Sequence, residues 1–266
     1  MIIDEGWRMM IEQGVLAGFP VRYLERTGST NQVAIDMTKN GAPTDTVVAA
    51  ESQAGGRGRL GRSWHSPAGS NLYFSMILRP ALPPEDLPKI TLAAGLALCL
   101  AVEKVTDLSL MLKWPNDLLL DGRKLAGILA ETVNIKGEPT AVVLGVGLNV
   151  NAGAAAFPAD LRERATSLLI VTGHEYRRSE LLAAIVSELK RQLRRFERSG
   201  FNGILAEWRK RDATLGRELT WLTRNGGIVR GVSLGPDDSG QLLIKDADGK
   251  IHEVLSGDIS LGPVHE

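Results

Sequence analysis

Residues 55–64 read GGRGRLGRSW, and residues 65–69 continue as HSPAG. Glycine lets a backbone approach a ligand closely, and arginine offers a fixed fork of donors to carboxylate or phosphate oxygens. A stretch of this kind cannot bury itself in a core, so it predicts a mobile loop that closes over an anion. Pro67 and Gly69 prevent a helix from starting directly after the glycines.

The glycine spacing satisfies one nucleotide-binding pattern and nearly satisfies a second. Gly56, Gly58 and Gly61 fit G-x-G-x-x-G, while Arg62 stands where a P-loop has lysine. Both patterns need a helix N-terminus at the phosphate, and none can begin here. The sequence therefore disfavours a dinucleotide-binding or P-loop fold, and an arginine-rich surface turn is the plain alternative.

Composition limits the class of protein. Among 266 residues, 31 Lys and Arg balance 31 Asp and Glu, so no overall basic field would draw the chain to nucleic acid or a membrane. Cys99 is the only cysteine and the four histidines are scattered, which disfavours a disulfide or a structural metal site. Because no signal peptide or long apolar run is evident, we expect a cytoplasmic protein.

Hydrophobic periodicity predicts a mixed β-sheet flanked by helices. Strands are predicted at residues 46–50, 71–78, 108–114 and 141–150, and a hairpin joins 118–120 to 124–133 through Asp121-Gly122. Helices are predicted at residues 30–39, 88–105, 180–199 and 204–211, with Cys99 as a small core residue. The third helix has a basic face that we interpret as solvated, formed by Lys190, Arg191, Arg194, Arg195 and Arg198.

The pattern changes near residue 215. Short strands at residues 218–223, 228–234, 241–245 and 251–255 alternate with turns such as Asn225-Gly226-Gly227. Strands of this length and spacing are typical of a small barrel. We therefore predict an α+β chain with one domain over residues 1–213 and a small β-barrel domain over residues 214–266.

Several other segments carry polar groups at the ends of predicted elements. They are GSTN at 28–31, Gln53, KWPND at 113–117, RKLAG at 123–127 and GVGLNV at 145–150. Each alone has an ordinary explanation: Ser29 or Thr30 caps a helix, Trp114 belongs to the core, and Lys124 is a surface lysine. Asn149 by itself could be a turn residue.

In this order the segments resemble the bacterial biotin–protein ligase family. The resemblance rests on GSTN, ESQ with GRGRLGR, KWPND, RKLAG and GVGLNVN, and runs from about residue 21 to the C-terminus. It implies a class II synthetase-like catalytic domain with a seven-stranded mixed sheet, and a small SH3-like C-terminal barrel. It also implies a ligase that forms biotinyl-5'-AMP from biotin and ATP. Biotin would then pass to a lysine of a biotin carboxyl carrier domain, such as that of acetyl-CoA carboxylase.

The resemblance assigns roles to individual residues. Those expected to hold biotin and its adenylate are Ser29, Thr30, Asn31, Gln53, Gly56, Arg57, Gly58, Arg59, Lys124, Gly127, Gly145 and Gly147. Those expected to contact ATP are Arg62, Trp64, Lys113, Asn116 and Asn149. Catalysis is expected from Arg57, Lys113, Lys124 and Asp117, where Asp117 serves the acceptor amine or else orients Lys113 or binds magnesium. Mg²⁺ is expected to arrive with ATP and not at a dedicated protein site.

The sequence departs from the family pattern in two places. Members that repress transcription carry an N-terminal winged helix-turn-helix domain, and only residues 1–20 precede the resemblance here, so we expect no DNA binding. The arginine that commonly follows GEISL in the family is absent, because residues 257–262 read GDISLG. Members associate through sheet edges, and the sequence leaves a homodimer open.

Two rival interpretations stay open. Lipoate–protein ligases and octanoyl transferases share this catalytic fold, but they lack the combination of GRGRLGR, KWPND and RKLAG. A non-catalytic nucleic-acid binder would need a basic face with interleaved aromatic residues, whereas aromatic residues make up 5% of this chain.

Overall fold

A mixed β-sheet forms the centre of the protein; the computed structural model describes Trp7 and residues 12–135, 138–222, 227–255 and 258–261. Its strands are β1 (Val15–Leu16), β2 (Phe19–Thr27), β3 (Val47–Gln53), β4 (Leu72–Leu78), β5 (Met111–Lys113), β6 (Asp117–Leu120), β7 (Arg123–Ile135) and β8 (Glu138–Leu148). Their order is β1-β2-β3-β4-β8-β7-β6-β5. Strands β2 and β3 are parallel and the other neighbours are antiparallel, which confirms the predicted mixed sheet.

Over the described residues the sheet has eight strands, one more than the seven that the resemblance implies. Strand β1 has two residues and pairs only with β2 at the sheet edge, so it is too short to show a periodicity. The sequence prediction contained no element over β2, where four of nine residues are exposed and charged residues interrupt the apolar ones. The predicted hairpin β6–β7 is confirmed: Asp121 and Gly122 both have positive φ, as a tight two-residue turn requires.

Helices cover both faces of this sheet. The helices are α1 (Thr30–Lys39), α2 (Ile90–Thr106), α3 (Leu168–Thr172), α4 (Arg178–Ser199) and α5 (Asn202–Arg209). On one face, Ala34 of α1 packs with Val48, Ile77 and Val143. On the other face, α2, α4 and α5 bury the alternate residues of the same strands, such as Leu144. Since β8 is covered on both sides, it lacks clean polar alternation.

The predicted bounds of the helices hold to within about two residues. Helix α1 has the predicted bounds and ends before Gly41, which has φ +82°. Of the two residues predicted as the cap, Ser29 occupies the N-cap position, but its side chain makes no capping hydrogen bond to the helix. Helix α3 was not predicted, since five residues are too few to show a period.

The C-terminal part forms a second, antiparallel sheet. Its strands are β9 (Glu218–Leu222), β10 (Ile228–Pro236), β11 (Leu242–Lys245), β12 (Ile251–Val254) and β13 (Asp258–Leu261). Their order is β12-β11-β10-β9-β13. The four predicted strands are confirmed and β13 is added beside β9. Residues 225 and 226 of the predicted turn, and residues 257 and 262 of GDISLG, lie outside the described part of the chain.

Trp114 joins the two sheets. Its side chain is buried in the main core, as predicted, and its indole Nε1 donates to the Gly240 carbonyl at 2.9 Å. Cys99 is also buried, and burial raises the pKa of its thiol to about 12, as an inert core residue requires. Within the described ranges, no helix combines the length and apolar character needed to cross a bilayer.

Candidate active site

One row of paired residues crosses four strands of the main sheet. Lys113 on β5 pairs with Asp117 on β6, Asp117 pairs with Gly127 on β7, and Gly127 pairs with Gly147 on β8. Directly paired residues point to the same face of a sheet. The motifs KWPND, RKLAG and GVGLNV therefore place two charged side chains and two glycines side by side.

Gly127, Gly145 and Gly147 form a glycine floor on that face. Gly145 is two residues from Gly147, so it shares the face. A methyl group on Gly145 would overlap the Asn31 side chain, and one on Gly147 would overlap the Trp64 indole. At Gly127 it would lie 3.1 Å from Trp64 and 3.3 Å from the Lys124 side chain. Glycine is thus required here because other side chains approach the backbone directly.

Lys124 lies over this floor and is held by two contacts. Its Nζ forms a salt bridge of 2.6 Å with Asp117 Oδ1 and stands 5.5 Å from the centroid of the Trp64 ring. Asp117 comes from the neighbouring strand β6. Since Lys113 is paired with Asp117 in the row, the structure brings together three of the four residues predicted to be catalytic, and it pairs the predicted carboxylate with Lys124.

The GSTN segment borders the floor where β2 ends and α1 begins. The backbone N–H and the hydroxyl of Thr30 both donate to Gln53 Oε1, at 2.9 and 3.2 Å. Ser75 Oγ lies 2.8 Å from Thr30 Oγ1 and 2.5 Å from Asn31 Oδ1. Ser29, Thr30 and Asn31 are all buried. The segment therefore presents small polar groups inside an otherwise apolar layer.

Gln53 connects this border to the arginine loop, which we define as residues 54–66. Its Nε2 donates to Ser66 Oγ at 3.0 Å, and Ser66 in turn bonds the Trp64 carbonyl at 3.1 Å. A methyl group on Gly56 would overlap both Trp64 O and Ser66 Oγ. This close packing leaves no room for a side chain at residue 56.

The arginine loop is a hairpin and not a helix start. Trp64 N–H donates to Gly56 O at 2.8 Å, and Gly58 N–H donates to Arg62 O at 2.7 Å. At its tip, Leu60 has φ +56° and is 64% exposed. No helix follows within residues 63–69, all of which are described, so the dinucleotide-binding and P-loop interpretations fail as expected.

The loop and β7 border an open cavity of about 410 Å³. The cavity is lined by residues 57–62, Thr91 and residues 128–131. Strand β6 pairs with β7 only as far as Gly127, so this edge of β7 is left for the loop to cover. Arg57 pairs with Glu131, and Arg59 Nη1 lies 3.4 Å from Asn116 Oδ1. Three arginines thus converge on one cavity beside the floor.

Two predicted ATP contacts, Asn116 and Asn149, bond the backbone in this structure. The Asn116 amide donates to Ile128 O at 2.8 Å, and the buried Asn149 amide donates to Thr166 O at 2.9 Å. Both fix the ends of strands that carry the floor. Lys113 lies in the row described above and Arg62 in the loop, while Trp64 Nε1 is buried without a hydrogen-bond partner among the described residues.

Glu51, two residues before Gln53, anchors the segment after the loop. Burial is the largest single effect and would raise its pKa, but the charge and hydrogen bonds of Arg178, together with bonds from Tyr23 and Gly69, hold the carboxyl pKa below its usual value. Arg178 Nη1 lies 3.1 Å from Glu51 Oε1 and 3.1 Å from Asn71 O. Burial raises the pKa of Tyr23 to about 12, so it stays a neutral donor to Glu51.

Sequence reasoning quoted Glu51 within ESQ without giving it a role, and it missed Ser66, Ser75 and Glu131. Ser75 is a hydroxyl inside the apolar strand LYFSMIL, and Glu131 is an acid on the cavity wall. A lone polar residue in a buried strand is the signal that could have found Ser75, whereas half-buried Glu131, followed by Thr132 and Asn134, gives no such signal. Among the described residues, no group of three or more His, Cys, Asp or Glu side chains could hold a metal ion.

Comparison with known proteins gives consistent matches. Residues 23–149 match the Biotin/lipoate A/B protein ligase family, and residues 214–262 match the Biotin protein ligase C terminal domain. The biotin–[acetyl-CoA-carboxylase] ligase of Mycobacterium tuberculosis is 35% identical over 97% of this chain and 95% of that protein. The bifunctional ligase/repressor BirA of Bacillus subtilis is 33% identical over 97% and 83%. The structure of a biotin protein ligase from Aquifex aeolicus in complex with biotin and ATP has a TM-score of 0.79 and 31% identity, over 91% of this chain and 98% of that one.

Proposed function

Since this chain belongs to the biotin/lipoate A/B protein ligase family and is a biotin protein ligase, we propose that it joins biotin and ATP into biotinyl-5'-AMP. It then transfers the biotinyl group to one lysine of a biotin carboxyl carrier domain. The complex of the Aquifex relative with biotin and ATP supports both substrates. The name of the Mycobacterium relative supports acetyl-CoA carboxylase as the source of the acceptor.

The observation that carries the proposal is the row Lys113, Asp117, Gly127 and Gly147 beneath the arginine loop. The bare backbone of the floor and the cations of the loop suit a flat apolar molecule that ends in a negative charge. Biotin has that form: an apolar ring system, a ureido group that donates and accepts, and a carboxylate on a chain.

We propose that the ureido group lies at the GSTN border. Ser29, Thr30, Asn31 and Gln53 supply hydroxyl and amide groups that can both donate and accept. The glycine floor lets the ring contact the strands directly. Trp64 lies over Gly147 in this structure, so a ligand on the floor would contact its indole or displace it.

The first half-reaction brings two anions together. A carboxylate oxygen of biotin attacks the α-phosphorus of ATP, the bond to the bridging oxygen breaks, and pyrophosphate leaves. We propose that the positive charges at Arg57, Arg62, Lys113 and Lys124 offset the repulsion between carboxylate and phosphates. Charge-assisted hydrogen bonds contribute about 1.5–3 kcal/mol each, so several of them supply a large part of such a barrier. Mg²⁺ would enter with ATP and add positive charge at its phosphates.

The second half-reaction needs a neutral acceptor amine. The amine nitrogen attacks the carbonyl carbon of the adenylate, the bond from that carbon to the phosphate oxygen breaks and AMP leaves, and the proton lost by the nitrogen passes to solvent. The sequence leaves two roles for Asp117: to position or deprotonate this amine, or to orient Lys113 or bind magnesium. Its 2.6 Å salt bridge with Lys124 supports a positioning role, in which Asp117 aims Lys124 at the reacting oxygens.

The adenylate must be shielded from water before transfer. We propose that Gly56, Gly58, Arg59 and Trp64 of the arginine loop cover it, and that Asn116 and Asn149 hold the strand ends where the nucleotide binds. We also propose that residues 1–213 form the catalytic domain and residues 214–266 the C-terminal domain. Homodimer formation and the absence of operator binding stay predictions.

The test is ATP-dependent transfer of radiolabelled biotin to a purified carrier domain, with its target lysine changed to alanine as the control. We expect label on the intact carrier only, and release of pyrophosphate before the carrier is added. Transfer of lipoate or octanoate in place of biotin would favour the rival ligases. A gel shift on DNA without biotin transfer would favour the nucleic-acid binder.

A further inference from the structure

Glu131 is an acid in a cavity that otherwise collects arginines. It lies on β7, and its carboxylate oxygen Oε2 accepts a hydrogen bond from Asn31 Nδ2 at 2.8 Å. The same oxygen pairs with Arg57 of the arginine loop. Its side chain is 29% exposed, and that of Arg57 is 40% exposed. One oxygen atom therefore joins three elements: the start of α1, the loop and the edge of β7.

A negative charge in this position needs an explanation. The cavity is to receive a carboxylate and phosphates, and a fixed carboxylate repels both. The Asn31 amide is fully engaged, because Nδ2 also reaches Leu129 O at 3.3 Å and Oδ1 accepts from Ser75. Glu131 thus connects the loop to the most buried part of the site.

We propose that Glu131 is a positioning residue that latches the arginine loop over β7 until the substrate anion takes Arg57. Without ligand, Glu131 neutralises Arg57 and holds it at the cavity wall. When the anion binds, Arg57 turns to it, and Glu131 keeps only the Asn31 amide. The identity of that anion, the biotin carboxylate, rests on the proposed function; the latch itself does not.

Limited proteolysis with trypsin tests the latch, because the loop contains cleavable bonds after Arg57, Arg59 and Arg62. Cleavage is followed after Arg59 and Arg62, because a change at Glu131 itself frees the Arg57 side chain. Cleavage of a folded protein follows the population of its open form when opening is fast. We expect Glu131→Gln, which keeps the shape and removes the charge, to raise the rate of loop cleavage about threefold to tenfold, the range for a half-exposed charged pair. Glu180→Gln on α4 is the matched control, because it breaks an exposed pair with Arg177 just before that helix. It should leave the rate of loop cleavage unchanged.

Arg57→Gln breaks the same pair from the other side, so the test does not depend on the folding of the Glu131→Gln variant alone. We expect it to raise cleavage after Arg62 equally, and the double variant to be no faster than either single one, as for two halves of one contact. Equal ligand-free rates for wild type and Glu131→Gln would overturn the latch. Additive rates in the double variant would overturn it as well.

A ligand arm distinguishes the latch from a merely structural contact. With saturating biotin and ATP, we expect wild type and Glu131→Gln to be cleaved at the same slow rate, because Arg57 has then left Glu131. A difference that persists unchanged with ligand bound would overturn the transfer of Arg57. If the wild-type enzyme does not transfer biotin at all, the proposed function fails, and the ligand-free comparison still decides the latch.

Discussion

The glycine floor and the arginine loop face each other across one site, and they are built in opposite ways. The floor is backbone in the middle of the main sheet, with strands paired on both sides and no room for a methyl group at Gly145 or Gly147. The loop has an exposed tip at Leu60 and is tied down by side-chain contacts such as Arg57 with Glu131. Shape is therefore fixed by the sheet, whereas charge is delivered by a segment that can move.

This contrast predicts that a substitution at the floor causes a large loss of activity or binding, whereas a substitution in the loop causes a partial loss. A floor residue has no way to relax, because its neighbours are held on both sides. A loop residue loses one contact, and the remaining contacts still close the loop in part. The predictions below run from the largest expected effect to the smallest.

Removing the cation over the floor should have the largest effect. Lys124→Ala is expected to reduce adenylate formation about 100-fold or more, since a preorganised charge is lost where negative charge accumulates. The measurement is biotin-dependent exchange of labelled pyrophosphate into ATP, alongside a thermal melt to show an intact fold. Normal exchange in this variant would remove Lys124 from the chemistry.

Filling the floor should come next. Gly147→Ala places a methyl group against the Trp64 indole. It should weaken biotin binding, measured by calorimetry, about 10-fold to 100-fold, because the biotin ring system loses its direct contact with strand β8. Gly153→Ala is the control, because it has φ −74° and meets nothing within 4 Å. If the two variants bind biotin equally well, the floor is not the binding surface.

The salt bridge between Glu51 and Arg178 should contribute to the free energy of unfolding and make it depend on pH. Glu51→Gln is expected to lower the free energy of unfolding by about 1–3 kcal/mol at pH 7, because Arg178 loses its partner. The folded-state pKa of Glu51 lies below its ordinary value of 4.5, so its contribution is present above that value and is lost as pH falls through the lower, folded-state pKa.

Urea unfolding of wild type and Glu51→Gln between pH 7 and pH 3 checks this. The gap between the two proteins should be constant down to about pH 5 and shrink below it. Glu180→Gln, in a pair whose side chains are 68% and 58% exposed, should stay near wild type throughout. A gap that grows as the solution becomes more acidic would contradict the assigned sign.

A change within the loop should have the smallest effect on adenylate formation and show itself as leakage. Arg59→Gly removes the contact with Asn116 and adds backbone freedom at the tip. We expect adenylate synthesis within about threefold of wild type, at the scale of an exposed pair, and a several-fold rise in random lysine biotinylation of a bystander protein. Bystander labelling no higher than with the parent enzyme would refute the shielding role.

Much of the fold was predictable because local patterns specify local elements. Helix α1, the long buried helix α2 and the hairpin β6–β7 follow from apolar spacing and from the turn at Asp121 and Gly122. Strand β2 was missed, since half of it is exposed and its parallel partner β3 lies beyond a helix. Pairing of that kind leaves no local signal.

The site was predictable in composition but not in arrangement. The motifs supplied Lys113, Asp117, Lys124 and the glycines, and resemblance to a known family gave them roles. Ser75 and Glu131 carry no motif, and each becomes informative only through a partner more than forty residues away, Asn31 in both cases.

The sequence by itself determined which chemical groups are available: bare backbone at the glycines and fixed cations at the arginines. Its helix and strand periods also predicted a mixed sheet with flanking helices and a second, small β domain. The tertiary structure alone decided which of these groups meet. Strand register set Lys113, Asp117, Gly127 and Gly147 in one row, and it placed Glu131 where a single oxygen reaches both Asn31 and Arg57. The physical reason is that strand register depends on how the whole sheet packs, so a local stretch of sequence does not specify which residues become cross-strand neighbours.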